Sequence, residues 1–135
     1  MDRLTIDRGT PSEALMERAG SLVAAVLRDR FHRQMRRGVV VVAGKGNNGG
    51  DALVAARHLK RRRVKVGVHL AAREADLTGD ARTNLTRWKR LGGRVQEIDG
   101  RGGLGALAEA LDRCGVAVDG LFGTGLRGDL DRHSR

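Results

Sequence analysis

The chain has 135 residues, 40% of them hydrophobic, enough for one domain with a single core and too apolar for a disordered chain. Its net charge of +10 keeps a polyanionic partner in view, but the basic residues read as scattered. The exception is one cluster, Arg57, Lys60, Arg61, Arg62, Arg63 and Lys65; without a nearby aromatic stacking platform it reads as a solvated helix end, and nucleic acid is disfavoured.

At the N-terminus, Met1-Asp2-Arg3 opens no secretion signal, and no apolar run is long enough to span a bilayer. The first helix signal is Thr10-Pro11-Ser12-Glu13, a capping box with proline at the first helical position. Beyond it Leu15, Ala19, Leu22 and Val26, flanked by Met16, Val23 and Leu27, predict one broad apolar face. That helix should reach about Met35, with Gly38 as the break. Residues 39–43, Val-Val-Val-Val-Ala, form a continuous β-branched run, which indicates a strand covered on both faces of a parallel sheet.

A helix is expected over about residues 50–62 and a strand over 64–70. Leu77, Ala81, Leu85, Trp88 and Leu91 recur at helical spacing up to Gly92-Gly93. A short strand at 94–98, a helix near 104–112 and a strand at 116–118 complete the series, with the glycine-rich piece 100–105 read as a loop. Alternating helices and strands predict a doubly wound α/β sheet with right-handed crossovers, and the common strand order 3-2-1-4 makes strands one and four neighbours. Ligands of such sheets bind beyond the carboxyl ends of the strands at that switch point, which brings the loop 44–51 beside the loop 119–129.

Gly44-Lys45-Gly46-Asn47-Asn48-Gly49 fits G-x-G-x-x-G between a strand and a helix, a weak signal alone, since the glycines can serve only a tight turn and close packing. Gly49 and Gly50 would let backbone amides approach a ligand at the positive end of the following helix, which suits phosphate. Asn47 and Asn48 add donors and acceptors, and Asp51 is either a helix-dipole partner or an acceptor for a ligand hydroxyl. The segment is no Walker A loop, and the second strand ends without a carboxylate for an adenosine ribose, which disfavours a hydride-transferring dehydrogenase. Asp119, at the end of a strand read as buried, caps its own loop or meets a cation or several donors; facing the Asn48 amide oxygen it would suit a hard cation. Arg127 could pair with phosphate. Lone Cys114 permits no internal disulfide and reads as a small packing residue, and the four histidines show no paired ligand spacing for zinc.

Leu15-Met16-Glu17-Arg18-Ala19-Gly20, Gly46-Asn47-Asn48-Gly49-Gly50-Asp51 and Asp119-Gly120-Leu121-Phe122-Gly123-Thr124-Gly125-Leu126-Arg127-Gly128 together resemble the NAD(P)H-hydrate epimerase family, the YjeF N-terminal domain. The likeness covers nearly the whole chain, 1–135, as one partial domain. It implies a Rossmann-like three-layer αβα sandwich with a mostly parallel sheet, incomplete at the C-terminal side. It also implies an isomerase of cofactor repair that interconverts the R and S hydrates of NADH and NADPH beside a separate or fused dehydratase. By the same resemblance Asn47, Asn48, Gly49, Gly50 and Asp51, with Gly123, Thr124, Gly125, Leu126, Arg127, Gly128 and Asp129, would contact the hydrate. Asn48 and Asp119 would be potassium ligands, and no residue is assigned as the catalytic acid or base. Lys45 stands where the family often has Pro and Ala52 where it often has Gly.

Family members continue into a strand bearing an Asp-Ile/Leu-Pro-Ser-Gly type segment, whereas this chain stops at Asp131-Arg132-His133-Ser134-Arg135. The expectation from that ending is a truncated site and an apolar edge on the fourth strand, which invites pairing with another chain, a homodimer among the options. A cytoplasmic setting is expected. The alternative reading is a non-catalytic YjeF-type nucleotide- or RNA-binding module, with the basic cluster as its contact.

Overall fold

The computed structural model describes residues 11–121. Helix α1 (Pro11–Phe31) leads through a 3-10 turn (Gln34–Arg37) into β1 (Val39–Ala43), followed by α2 (Asn47–Arg61), β2 (Val66–Leu70) and a 3-10 turn (Glu74–Asp76). Then come α3 (Gly79–Arg90), β3 (Val95–Glu97), α4 (Gly100–Arg113) and β4 (Val116–Gly120). The four strands are all parallel, in the order β3-β2-β1-β4. The α/β class and the adjacency of strands one and four are therefore as the sequence predicts. Among the described residues no helix is long and apolar enough to cross a membrane.

β1 is the centre of the molecule, and all five of its residues are buried. Side chains alternate along a strand, so Val39, Val41 and Ala43 share one face. With Val68 and Leu70 of β2, that face joins one core with Leu53, Ala56 and Leu59 of α2 and Leu85 and Trp88 of α3. The crossover from β3 back to β4 runs the other way along the sheet, so a right-handed connection lays α4 against the opposite face. Its half-buried residues Ala106, Leu107 and Ala110, with buried Gly103, form one helical stripe.

Three expectations are corrected. The first concerns α1, which buries Met16, Gly20 and Ala24 rather than the centre of its apolar face. Leu15, Leu22 and Val26 are 68%, 61% and 51% exposed. The small residues decide this: a Cβ added at Gly20 would lie 2.4 Å from the side chain of Val54, so α1 and α2 meet at near-backbone distance through Gly20. The helix is thereby rotated about a third of a turn from its apolar centre. It also ends at Phe31, with a separate 3-10 turn before Gly38, whose φ of 99° is open to glycine.

The second is the piece 100–105, which is the first turn and a half of α4 and no loop. Gly103 donates its amide to the Asp99 carbonyl at 3.0 Å, and a Cβ there would fall 2.9 Å from the Glu97 carbonyl oxygen. Close packing over the end of β3 uses the glycine that composition alone reads as a breaker. The third is β4, an edge of the described sheet, with Ala117 and Asp119 exposed and Val116 and Val118 half-buried. Asp119 therefore does not carry the desolvation of a doubly covered strand. The expected capping box is half visible: Thr10 lies outside the described residues, and Glu13 forms an ion pair with Arg87 at 2.6 Å.

Two glycine substitutions separate packing from propensity. Gly20→Ala is expected to destabilise by about 1–3 kcal/mol through overpacking on Val54. Gly105→Ala, in α4 with nothing within 4 Å of the new methyl, should stabilise by roughly 0.5–1 kcal/mol. Urea midpoints of the two variants moving in opposite directions would establish the distinction.

Candidate functional site

The connection from β1 to α2 is only residues 44–46, because α2 starts at Asn47, three residues earlier than expected. Gly46 occupies the N-cap position, and no side chain caps the helix. The first intrahelical bond runs from the Gly50 amide to the Gly46 carbonyl, at 3.1 Å. The amides of Asn47, Asn48 and Gly49 precede it and donate to no carbonyl among the described residues. Three donors without a partner among the described residues, at the positive end of a 15-residue helix, are an anion-binding arrangement.

Packing explains the glycines here. A Cβ at Gly49 would lie 1.8 Å from the Gly44 carbonyl oxygen, and one at Gly50 would lie 2.4 Å from Met16 Sδ. Close approach, the bland reading of this loop, is therefore a sufficient reason for both. It also seats the start of α2 on the ends of the neighbouring strands β1 and β4. The Gly44 amide donates to the Gly120 carbonyl at 3.1 Å. A Cβ at Gly120 would meet the Ala52 methyl at 2.6 Å and the Asn48 carbonyl oxygen at 2.9 Å. The turn that carries Asn48 and the turn that follows Asp119 thus share one crevice.

Within it Asn47 is exposed and Asn48 and Asp51 are half-buried. None of the three side chains has a hydrogen-bond partner or ion pair among the described residues. Burial pushes the Asp51 carboxyl above its ordinary 3.8. Asp119 is exposed, and its Oδ1 accepts from the Leu121 amide at 2.9 Å, so it caps its own turn while its second oxygen remains available. Lys45 is exposed beside the loop. Gly123, Thr124, Gly125, Leu126, Arg127, Gly128 and Asp129, with Phe122, lie outside the described residues.

Two polar features escape the sequence reading. The first is a cluster holding the helices that frame the crevice. Glu17 of α1 takes the Arg57 guanidinium on Oε1 and contacts His58 Nε2 with Oε2 at 2.7 Å. Arg57, 5% exposed, also donates to Asn84 Oδ1 of α3 at 3.3 Å, and Asn84 Nδ2 reaches Met16 Sδ at 3.2 Å. Met16 in turn lies against Gly50, so a contact chain runs from the cluster to the crevice. Arg57 therefore does not belong to the solvated basic cluster. The available signal was a charged residue directly after the apolar run 52–56.

The second is His69, buried in β2, whose Nδ1 has no partner among the described residues. Burial lowers its pKa from 6.5, which keeps it neutral at neutral pH. The register places it opposite Val42, which also pairs with Asp119, so His69 and Asp119 flank Val42 in one row on the α4 face.

For Glu17, burial works to raise the pKa, but the hydrogen bonds from His58 and Arg57 outweigh it and the net direction is down from 4.5. A depressed carboxylate contributes stability above its unfolded pKa, and that contribution is lost as pH falls through the folded value. Glu17→Gln is expected to destabilise by about 2–3 kcal/mol, below the figure for a wholly buried pair because Glu17 is partly exposed. Its stability should also vary less than wild type between pH 6 and pH 3, where about 4.5 marks the start of the loss. Urea melts across that range provide the check.

The sequence profile described as YjeF-related protein N-terminus matches residues 12–135. The bifunctional NAD(P)H-hydrate repair enzyme Nnr of Moorella thermoacetica is 44% identical over 119 residues, which is 87% of this chain and 22% of that protein. An NAD(P)H-hydrate epimerase of Bordetella pertussis (strain Tohama I) is 40% identical over 131 residues, 97% of this chain and 51% of its own length. Among solved structures, that of yeast ynu0 has a TM-score of 0.67 at 34% identity, covering 85% of this chain and 49% of the yeast chain. The chain thus spans between 22% and 51% of the length of these two curated relatives.

Proposed function

The chain belongs to the family of YjeF-related protein N-terminal domains, and on that premise we propose that it takes part in epimerising the R and S hydrates of NADH and NADPH. One observation carries the reading: among the described residues the first amides of α2 and the side chains of Asn47, Asn48 and Asp51 have no partner, directly over the turn that follows Asp119. Polar groups that a fold leaves unused in a crevice at the switch point of a parallel sheet are what an anionic dinucleotide requires. The relatives from Moorella and Bordetella carry the hydrate repair and epimerase names.

The chemistry follows from the substrate. The inverted carbon bears both a hydroxyl and the ring nitrogen, so its configuration is lost when hydroxide departs or the ring opens. Either route needs a proton delivered to the leaving atom and a donor-rich surface for developing charge. The amides of Asn47, Asn48 and Gly49 and the two asparagine side chains provide donors, and Gly50 keeps the helix start close to Met16. Asp51 is the described carboxyl best suited to exchange a proton with the substrate hydroxyl, since burial already favours its protonated form. Gly123, Thr124, Gly125, Leu126, Arg127, Gly128 and Asp129 are proposed to close the other side of the hydrate, with Arg127 on a phosphate.

Potassium fits the donor set: Asn48 offers an amide oxygen with no partner among the described residues, and Asp119 keeps one carboxylate oxygen free of the Leu121 amide. These two residues would hold the ion, which when bound would neutralise charge and fix substrate position. A dehydratase is the proposed functional partner, because in the bifunctional relatives hydrate repair resides in one chain. The exposed stripe of Leu15, Leu22 and Val26 offers the contact surface for a homodimer. A reducing, cytoplasmic setting suits the unpaired Cys114.

The test is a coupled assay: R-hydrate, a dehydratase specific for the S form, and this chain with or without potassium. Conversion above the spontaneous rate, stimulated by potassium, is expected; a rate equal to background in both arms would refute epimerisation by this chain. Asp51→Asn should lower that rate at least tenfold while raising thermal stability by a few tenths of a kcal/mol at neutral pH. The sign follows from the raised carboxyl: its ionised form is disfavoured by folding, so removing it helps above the folded pKa and not below about 3.8.

A further inference from the structure

In a dinucleotide-binding sheet the glycine-rich turn after the first strand takes the pyrophosphate. The residue that meets the adenosine ribose stands about 20 residues further on, at the carboxyl end of the second strand. A carboxylate there accepts from the ribose 2′-hydroxyl, whereas an arginine nearby admits a 2′-phosphate. In this chain that position is the exit of β2, where Ala71 and Ala72 follow the strand and Arg73 follows them. The exit is tied to the candidate crevice. Leu70 lies opposite Ala43 in the parallel register, and the Ala71 amide donates to the Ala43 carbonyl at 2.8 Å. The turn that begins at Gly44 and the turn that carries Arg73 therefore leave the sheet side by side.

Charge is distributed unevenly around this exit. Glu97 Oε2 accepts from the Glu74 amide at 2.8 Å, and Glu74 Oε1 accepts from Lys89 Nζ at 2.7 Å, so both carboxylates are engaged within the protein. Arg73 is exposed and meets Asp76 Oδ2 only through Nε, at 3.7 Å. A pair of that length between two exposed side chains contributes little. The two terminal nitrogens of the Arg73 fork have no partner among the described residues. Lys45, in the turn after β1, is likewise exposed and forms no ion pair with a described residue. Close approach accounts for Gly49 and Gly50 beyond that turn but does not call for a cation at position 45.

We propose that Arg73 and Lys45 form a subsite for a 2′-phosphate on the adenosine ribose, so that the chain prefers the hydrate of NADPH to that of NADH. The inference rests on the hydrate reading above and names the form of that substrate. A phosphomonoester carries about −1.5 to −2 charge at neutral pH, which two cations from adjacent turns neutralise. The open fork of Arg73 matches a pair of phosphate oxygens in a way that a lysine does not. The placement agrees with the rest of the crevice. With the hydrate ring between Asn48 and Asp119, the adenosine half runs along the strand ends to β2, roughly 10 Å from β4.

Calorimetry on the whole chain compares adenosine 2′,5′-bisphosphate with adenosine 5′-monophosphate, and the coupled assay compares the R-hydrates of NADPH and NADH. The bisphosphate should bind roughly tenfold tighter or more, the scale of a charged hydrogen bond, and kcat/KM should favour the NADPH hydrate similarly. Arg73→Ala should remove most of both preferences while changing the NADH-hydrate rate less than about twofold. Lys45→Ala should narrow them, and Arg73→Lys, which keeps the charge and loses the fork, should retain an intermediate preference. Arg28→Ala, which removes an exposed cation of α1, should leave both ratios as they are. Equal binding of the two nucleotides by wild type, or an Arg73→Ala variant that weakens both alike, would overturn the subsite. The two readings fail separately. Bisphosphate preference without epimerisation keeps the subsite and removes the hydrate reaction, whereas epimerisation of both hydrates at equal rates does the reverse.

Discussion

The architecture depends on one contact, the seating of the first turn of α2 on the ends of β1 and β4. It is made almost wholly by backbone: Gly49 against the Gly44 carbonyl, and Gly120 against the Asn48 carbonyl and the Ala52 methyl. Close-packed interiors tolerate no gap at such a point, and a methyl at either glycine would displace backbone and not merely a side chain. Because the contact consumes glycine backbone, it leaves the polar side chains of the same segment without a partner among the described residues. Asn47, Asn48 and Asp51 project from a turn fixed by neighbours that ask nothing of them chemically. A rigid support carrying uncommitted polar groups is the condition for a site.

That seating is maintained from behind by polar contacts of a different kind. Glu17, Arg57 and Asn84 tie α1, α2 and α3 together, and the chain ends at Met16 Sδ against Gly50. A buried guanidinium is costly unless its partners are complete, and here Nε remains without one among the described residues. Apolar packing would have been a cheaper way to join three helices. What the charged arrangement adds is geometry, since the hydrogen bonds fix the rotation of α2 about its axis, which hydrophobic contact alone leaves loose.

The sequence made the frame legible because parallel-sheet physics writes it plainly. The run 39–43 could only be a doubly covered strand, and alternating elements implied an order with strands one and four adjacent. What failed is equally instructive. Apolar periodicity placed the wrong part of α1 inward, since Gly20 and Ala24 govern close approach and carry almost no hydrophobic signal. Glycine count misread the start of α4, where Gly103 serves contact with β3. At the site, the proximity of the two turns was legible from topology. The start of α2 at Asn47 was not, because glycine and asparagine look like loop until tertiary packing overrides their weak propensity. Nor could composition reveal that His69 is buried with a ring nitrogen that has no partner among the described residues.

The same topology that makes the crevice makes its opposite pole. Parallel strands and their crossover helices cannot place positive helix ends together at one end without gathering negative ends at the other. The crevice end therefore attracts anions through backbone dipoles, while the far end would repel them if left to the backbone. The arginines of the α1–β1 and α2–β2 connections offset that sign, since Arg62 is the C-cap of α2 and Arg36 and Arg37 close the 3-10 turn. Arg63, held at φ 67°, shows that this offset is kept where the backbone would prefer glycine. Electrostatics at the crevice thus comes from the backbone, and electrostatics at the far pole comes from side chains that offset it.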